Sequence, residues 1–194
     1  MVTGLFVSLI GRRLLGLRRK GFARDERGAT AIEFGLLALP FFMIIGAILE
    51  TSILFLSGQI LDSSVQDVSR LIRTGQAKSM GIVDVASFKA KVCSGLYGLF
   101  GDCSNKLHVE VNTVANFTNA TISAPINQAN CTKTSCPWTR PEKFDAVQGS
   151  SFVVVQVYYK WPVVIGLGSY NLGNLNDGTR LMSGSTVLRN EPYT

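Results

Sequence analysis

The sequence predicts an α+β protein: a long N-terminal helix that spans a membrane in its first part, followed by a small antiparallel-sheet domain with disulfides. Three observations lead there. An uncharged apolar run of 16 residues, Phe34 to Leu49, stands directly behind a basic segment. Three stretches with β-type alternation lie in the C-terminal part. Four cysteines occur, all of them beyond the apolar run. The chain has 194 residues and a mean hydropathy of +0.25, with the excess concentrated near the N-terminus.

Three segments follow. Residues 1–28 hold seven basic side chains (Arg12, Arg13, Arg18, Arg19, Lys20, Arg24 and Arg27) against Asp25 and Glu26, a net charge of +5. The remaining residues net +1. A basic cluster beside an apolar run is the pattern that sets membrane orientation, so residues 1–28 are read as a cytoplasmic leader and not as a nucleic-acid surface. Within it, residues 4–20 have the make-up of an amphipathic segment lying on anionic lipid.

Residues 29–76 read as one long helix. A spanning helix needs about 20 mainly apolar residues, and residues 34–56 supply them if Glu50 sits near the far interface. Glu33 and Glu50 are then roughly 25 Å apart along the axis, each near one edge of the hydrocarbon. For Glu50 the simplest expectation is snorkelling to that interface. A cleavable secretory signal fits less well, because its apolar region runs to about 7–15 residues and ends in a small-residue cleavage site. Beyond the apolar part, Leu61, Val65, Val68 and Leu71/Ile72 recur at spacings of three and four, and Gly75 is a stop signal. The helix is expected from about Thr30 to Thr74, with Pro40 removing one backbone hydrogen bond.

Residues 77–194 form the exported domain. A short helix is expected at Val83–Cys93. Strands are expected at Leu107–Val114, with Leu107, Val109 and Val111 on one face, and at Phe152–Tyr159, with Pro162 marking the end. A weaker strand near the C-terminus alternates through Leu181, Ser183, Ser185 and Val187. Residues 115–150, with Pro125, Pro137 and Pro141, read as a long surface loop. An even number of cysteines beyond a membrane segment suits disulfides in an oxidising compartment. Cys93, Cys103, Cys131 and Cys136 allow three connectivities. Cys93–Cys103 with Cys131–Cys136 is favoured because both close short local loops. A zinc site lacks a Cys-x-x-Cys pair, and the single histidine, His108, lies on an expected strand. Three Asn-x-Thr sequences begin at Asn116, Asn119 and Asn130, as polar loops produce by chance.

No catalytic constellation stands out. A triad would have to use His108, which has no supporting motif, and the short Gly166–Gly168 stretch follows no phosphate-binding pattern. The sequence is therefore read as a non-enzyme, with no metal and no cofactor.

Arg24-Asp25-Glu26-Arg27-Gly28, then Ala29-Thr30-Ala31-Ile32-Glu33-Phe34, then Leu39-Pro40-Phe41, resemble the N-terminus of type IV-like prepilins. More closely, they resemble the TadE-like minor pseudopilins of tight-adherence (Flp) pilus systems. Glu50, in Gly46–Ser52, falls where that family often has a glutamate in its membrane helix. The resemblance covers about residues 24–75. It implies cutting of Gly28–Ala29 by a membrane prepilin peptidase, which leaves Glu33 and Phe34 as fifth and sixth residues of the mature chain, the positions of recognition and assembly. It implies as partners that peptidase, other pilins or pseudopilins, pilus-assembly proteins and the inner membrane, with the C-terminal domain periplasmic. Two alternatives remain open at this stage: an uncut, signal-anchored periplasmic binding domain, and a pseudopilin of a type II secretion machine.

Overall fold

The computed structural model describes residues 28–164 and 171–193. The basic leader up to residue 27 and the Gly166–Gly168 stretch lie outside the described residues. The described residues divide into two units, one up to Gly46 and one from Ala47 on.

Helix α1 runs from Ala29 to Arg73 through Pro40 without a break in its assignment. Residues 29–46 belong to the first unit, and there Phe34, Leu36, Leu37, Leu39, Phe41 and Phe42 are all exposed. This helix contains a segment long and apolar enough to cross a membrane, and none of that segment is buried in the protein. Such a surface suits hydrocarbon and not water.

In the second unit α1 becomes one-sided. Leu54, Leu61, Val65, Val68 and Ile72 are buried at helical spacing, with Ser57, Ser64 and Ser69 among them. The helix stops at Arg73 because Gly75 takes a left-handed turn (φ +73°). A Cβ there would also lie 2.7 Å from the Tyr193 ring, so both conformation and contact call for glycine. Helix α2, Val85–Ser94, starts with a capping box: Asp84 Oδ1 accepts the Ser87 N–H at 2.8 Å, and the Ser87 hydroxyl oxygen accepts the Asp84 N–H at 3.1 Å. The Ser87 hydroxyl, which donates to Asp84 Oδ1 at 2.6 Å, and then the Ser87 N–H favour the ionised Asp84 carboxyl and hold its pKa below the usual value. A one-turn helix α3, Cys103–Lys106, follows.

The sheet has four strands: β1 Leu107–Val114, β2 Lys143–Phe144, β3 Phe152–Pro162 and β4 Thr179–Arg189, in the order β2-β1-β3-β4. The three long strands are antiparallel, in the registers Val111↔Val155 and Val157↔Gly184. The short edge strand β2 pairs parallel to β1, which makes the sheet mixed rather than purely antiparallel. The parallel arrangement follows from chain path, since residues 115–142 cross back over the sheet before β2 forms.

The core lies between one sheet face and the helices. Val109, Val111, Val153, Val155, Val157 and Tyr159 meet Leu61, Val65, Val68, Phe88 and Val92. Burying a large aliphatic side chain stabilises a fold by about 1.5–3 kcal/mol, so this layer supplies most of the driving force. Here β4 differs from expectation. Its core-facing residues are Met182, Gly184 and Leu188, and the alternation through Leu181, Ser183, Ser185 and Val187 describes the opposite face. The phase is set by close approach of α1: a Cβ on Gly184 would sit 3.0 Å from Val65 Cγ2. A core strand with glycine at its middle is hard to see by hydrophobic alternation.

The expectation of a surface loop over 115–150 also changes. This segment folds across the second face of the sheet. It carries short 3-10 turns at Phe117–Asn119 and Gln128–Asn130 and an isolated bridge, Ile126↔Trp138.

Candidate functional site

The residues singled out in the sequence fall into three places. The first is the start of α1. Gly28 immediately precedes the helix, and Glu33 and Phe34 lie on its exposed first turns. Ala29 and Glu33 are four residues apart, one turn along the same face. A Cβ built on Gly28 would meet nothing within 4 Å. The fold itself therefore places no steric demand for glycine there.

The second is Glu50. In place of the snorkelling expected from sequence, its carboxylate is buried within the second unit, and Oε1 accepts the Val164 N–H at 2.6 Å. Val164 follows the end of β3, so the bond ties helix to sheet. Bonding to a backbone N–H offsets part of the cost of withdrawing a carboxylate from water.

The third is the disulfide set. Cys93 pairs with Cys103 and Cys131 with Cys136, at Cα separations of 5.9 and 4.2 Å. Cys93–Cys103 joins the end of α2 to α3. Cys131–Cys136 closes a small loop above the sheet's second face, where the Cys136 carbonyl accepts from Lys160 Nζ.

Sequence reasoning missed the polar cluster on that second face. Glu110 is buried and receives Arg140 through Nε at 3.2 Å and Nη2 at 3.0 Å. Arg140 also donates to the Ser123 carbonyl at 2.7 Å. His108 Nε2 stands 3.1 Å from Glu110 Oε1. A carboxylate only accepts, so Nε2 carries the proton that it donates. The His108 ring stacks on Trp138 with centroids 4.5 Å apart, and Lys160 Nζ lies 4.0 Å above the same indole. Gln156 Oε1 accepts from Ser123 N–H at 3.1 Å, and Tyr158 OH donates within the same group. Glu142 bridges Lys89 Nζ at 2.6 Å and the Val109 N–H at 3.2 Å. The signal for this cluster was alternation of polar residues on β1 and β3 (His108, Glu110, Gln156, Tyr158), which reads as a solvent face until the loop covers it.

The cluster clamps residues 121–142 onto the second face of the sheet: Glu110 is paired with Arg140 and Glu142 with Lys89, while Arg140 and Tyr158 both donate to the Ser123 carbonyl. Among the described residues, no group of three or more His, Cys, Asp or Glu side chains is placed to hold a metal ion. Burial lowers the His108 pKa below its ordinary 6.5, against the opposing pull of Glu110 and Glu142. Burial likewise raises the Tyr158 hydroxyl and lowers the Lys160 ammonium.

A depressed histidine pKa has a definite sign in stability. The unfolded chain binds the proton first, so the contribution is complete above pH 6.5 and is lost as pH falls from there through the folded-state value. Unfolding free energy should decline by up to about 1.4 kcal/mol per pH unit in that interval. His108→Gln, which retains a donor for Glu110, should flatten this slope. Urea titrations of both proteins across the interval check it, and an unchanged slope would assign the acid sensitivity to other groups.

Comparison with known proteins bears on the first two of the three places. Residues 28–70 match the family model of TadE-like proteins. The matched segment begins at Gly28, includes Glu33 and Glu50, and ends within α1, so the sheet domain lies outside it. No curated protein and no solved structure shows significant similarity to the chain. Along its N-terminal helix, therefore, the chain is similar to TadE-like proteins.

Proposed function

We propose that the protein is a minor pseudopilin that acts in assembly of a tight-adherence pilus after a prepilin peptidase cuts Gly28–Ala29. The observation that carries this reading is Gly28 itself. It stands between the basic leader and α1, at the first residue of the family match, with open space around it. A glycine that the fold does not need suits an external requirement, and a narrow protease cleft supplies one.

The leader's net charge of +5 supports a cytoplasmic N-terminus, with the sheet domain on the periplasmic side of the inner membrane. Two disulfides support an oxidising location. After cutting, Ala29 bears an α-amino group one helical turn from the Glu33 carboxylate. In a low-dielectric setting the two charges offset each other, within one chain or between neighbouring subunits, and either alone is costly.

The deciding experiment is the mass of the N-terminal peptide of the membrane-associated protein, isolated from cells with an intact pilus system. A chain beginning at Ala29 supports the reading. A chain that retains residues 1–28 defeats it and leaves a simple anchor for the periplasmic unit.

A further inference from the structure

The outer edge of β4 has the make-up of a strand-addition site. In an antiparallel ladder, alternate residues turn both backbone groups toward one neighbour. The parity can be read across the sheet. Val109 N–H bonds Glu142 Oε1 and the Val111 carbonyl accepts Asp145 N–H, so the odd residues of β1 face β2 and its flanking residues. Even residues of β1 therefore bond β3. Through the registers Glu110↔Gln156 and Val157↔Gly184, odd residues of β3 bond even residues of β4. The odd residues of β4 thus turn outward.

At the start of β4 these outward groups are used. The Thr179 carbonyl accepts Asn174 and Leu175 N–H groups, and Leu181 N–H donates to Asn174 Oδ1 at 2.7 Å. From Ser183 through Ser185 and Val187 to Arg189, no strand pairs with this edge among the described residues. Proteins usually protect such an edge with lysine, proline or a bulge, and this stretch has no lysine or proline and keeps an unbroken register with β3.

A cleft of about 550 Å³ borders the last part of this open stretch, Thr186 to Arg189. Gln66, Asp67 and Arg70 of α1 wall one side of the edge, and Phe117, packed on Phe152 at 4.6 Å, lies at the other. The cleft is basic. Arg70 and Arg189 have no carboxylate partner among the described residues, whereas Arg73 approaches Glu191 at 3.8 Å. Asp67 is the single acidic side chain in its lining.

Pairing with a second copy is disfavoured by charge. The open stretch of a second copy, Ser183–Arg189, would bring another arginine and no carboxylate to meet Arg70 and Arg189.

We infer that residues 183–189 of β4 accept an extended, acidic segment of a different protein chain as a fifth strand. Its backbone would bond Ser183, Ser185 and Val187, and its carboxylates would meet Arg70 of α1 and Arg189, whose guanidinium lies over the Phe152 ring. The choice of a different chain rests on that charge, and the test involves neither processing nor a membrane, so its failure would leave the proposed function standing.

The test uses the full chain in detergent and two fluorescent peptides of about seven residues, alternating threonine and valine, with glutamate or lysine at both ends. The glutamate peptide should bind saturably, about ten-fold tighter than the lysine peptide, and should slow amide exchange at residues 183–189. Val187→Pro removes an outward N–H that β3 does not use, and should abolish binding while far-UV circular dichroism stays unchanged. Arg70→Glu should reverse the preference between the peptides. Equal affinity for both peptides, exchange slowed only elsewhere, or unaltered binding by both variants would overturn the inference. So would self-association by sedimentation that protects residues 183–189.

Discussion

Exchanging Arg140 for methionine is expected to lower the unfolding free energy of the sheet domain by about 2–3 kcal/mol, seen as a fall in the urea midpoint with little change in slope. Arg140 holds Glu110 through two nitrogens, and Glu110 is only 5% exposed. Methionine keeps the aliphatic volume and removes the charge, so the carboxylate stays buried with His108 alone beside it. Breaking a fully buried pair costs about 3–5 kcal/mol. The Arg140 side chain is 40% exposed, so water reaches its half of the pair and the smaller figure applies. The double variant Glu110→Leu with Arg140→Met should recover most of the loss, because it removes both charges together. If the double variant is as unstable as Arg140→Met alone, the Ser123 contacts of Arg140 outweigh its pair with Glu110.

Gly28→Val should leave the whole cellular pool uncut, a chain heavier by the leader on immunoblot, with pili absent or sparse. Glu33→Ala should behave differently: cut normally, with its loss appearing only at assembly. The structure separates folding from both effects. Gly28 and Glu33 lie in the first unit, exposed and outside the packed core, so neither change should alter the urea midpoint of the second unit. Normal pili in a Glu33→Ala strain would remove the assembly role from that carboxylate. Full-rate cutting of Gly28→Val would remove the glycine from the recognition of the peptidase.

Much of this protein is decided by local chemistry. The apolar run, its charged flank and the three-four spacing from Leu61 to Ile72 specify α1 almost to the residue, since helical periodicity and charge asymmetry are properties of the chain itself. β-branched runs mark β1 and β3, and short loops bring Cys93 to Cys103 and Cys131 to Cys136 without help from distant contacts. Nothing local showed that residues 115–142 would cover the sheet, because His108 and Glu110 become buried partners only when Arg140 and Trp138 arrive some 30 residues later in the chain. The burial of Glu50 depends on Val164, 114 residues away. The phase of β4 depends on how closely α1 can approach Gly184, and its open edge on which neighbours the topology withholds. Patterns local to the chain fix α1, α2, the three long strands and the apolar run. Which polar groups are paired and which backbone edge stays open is set instead by contacts between residues far apart in the chain.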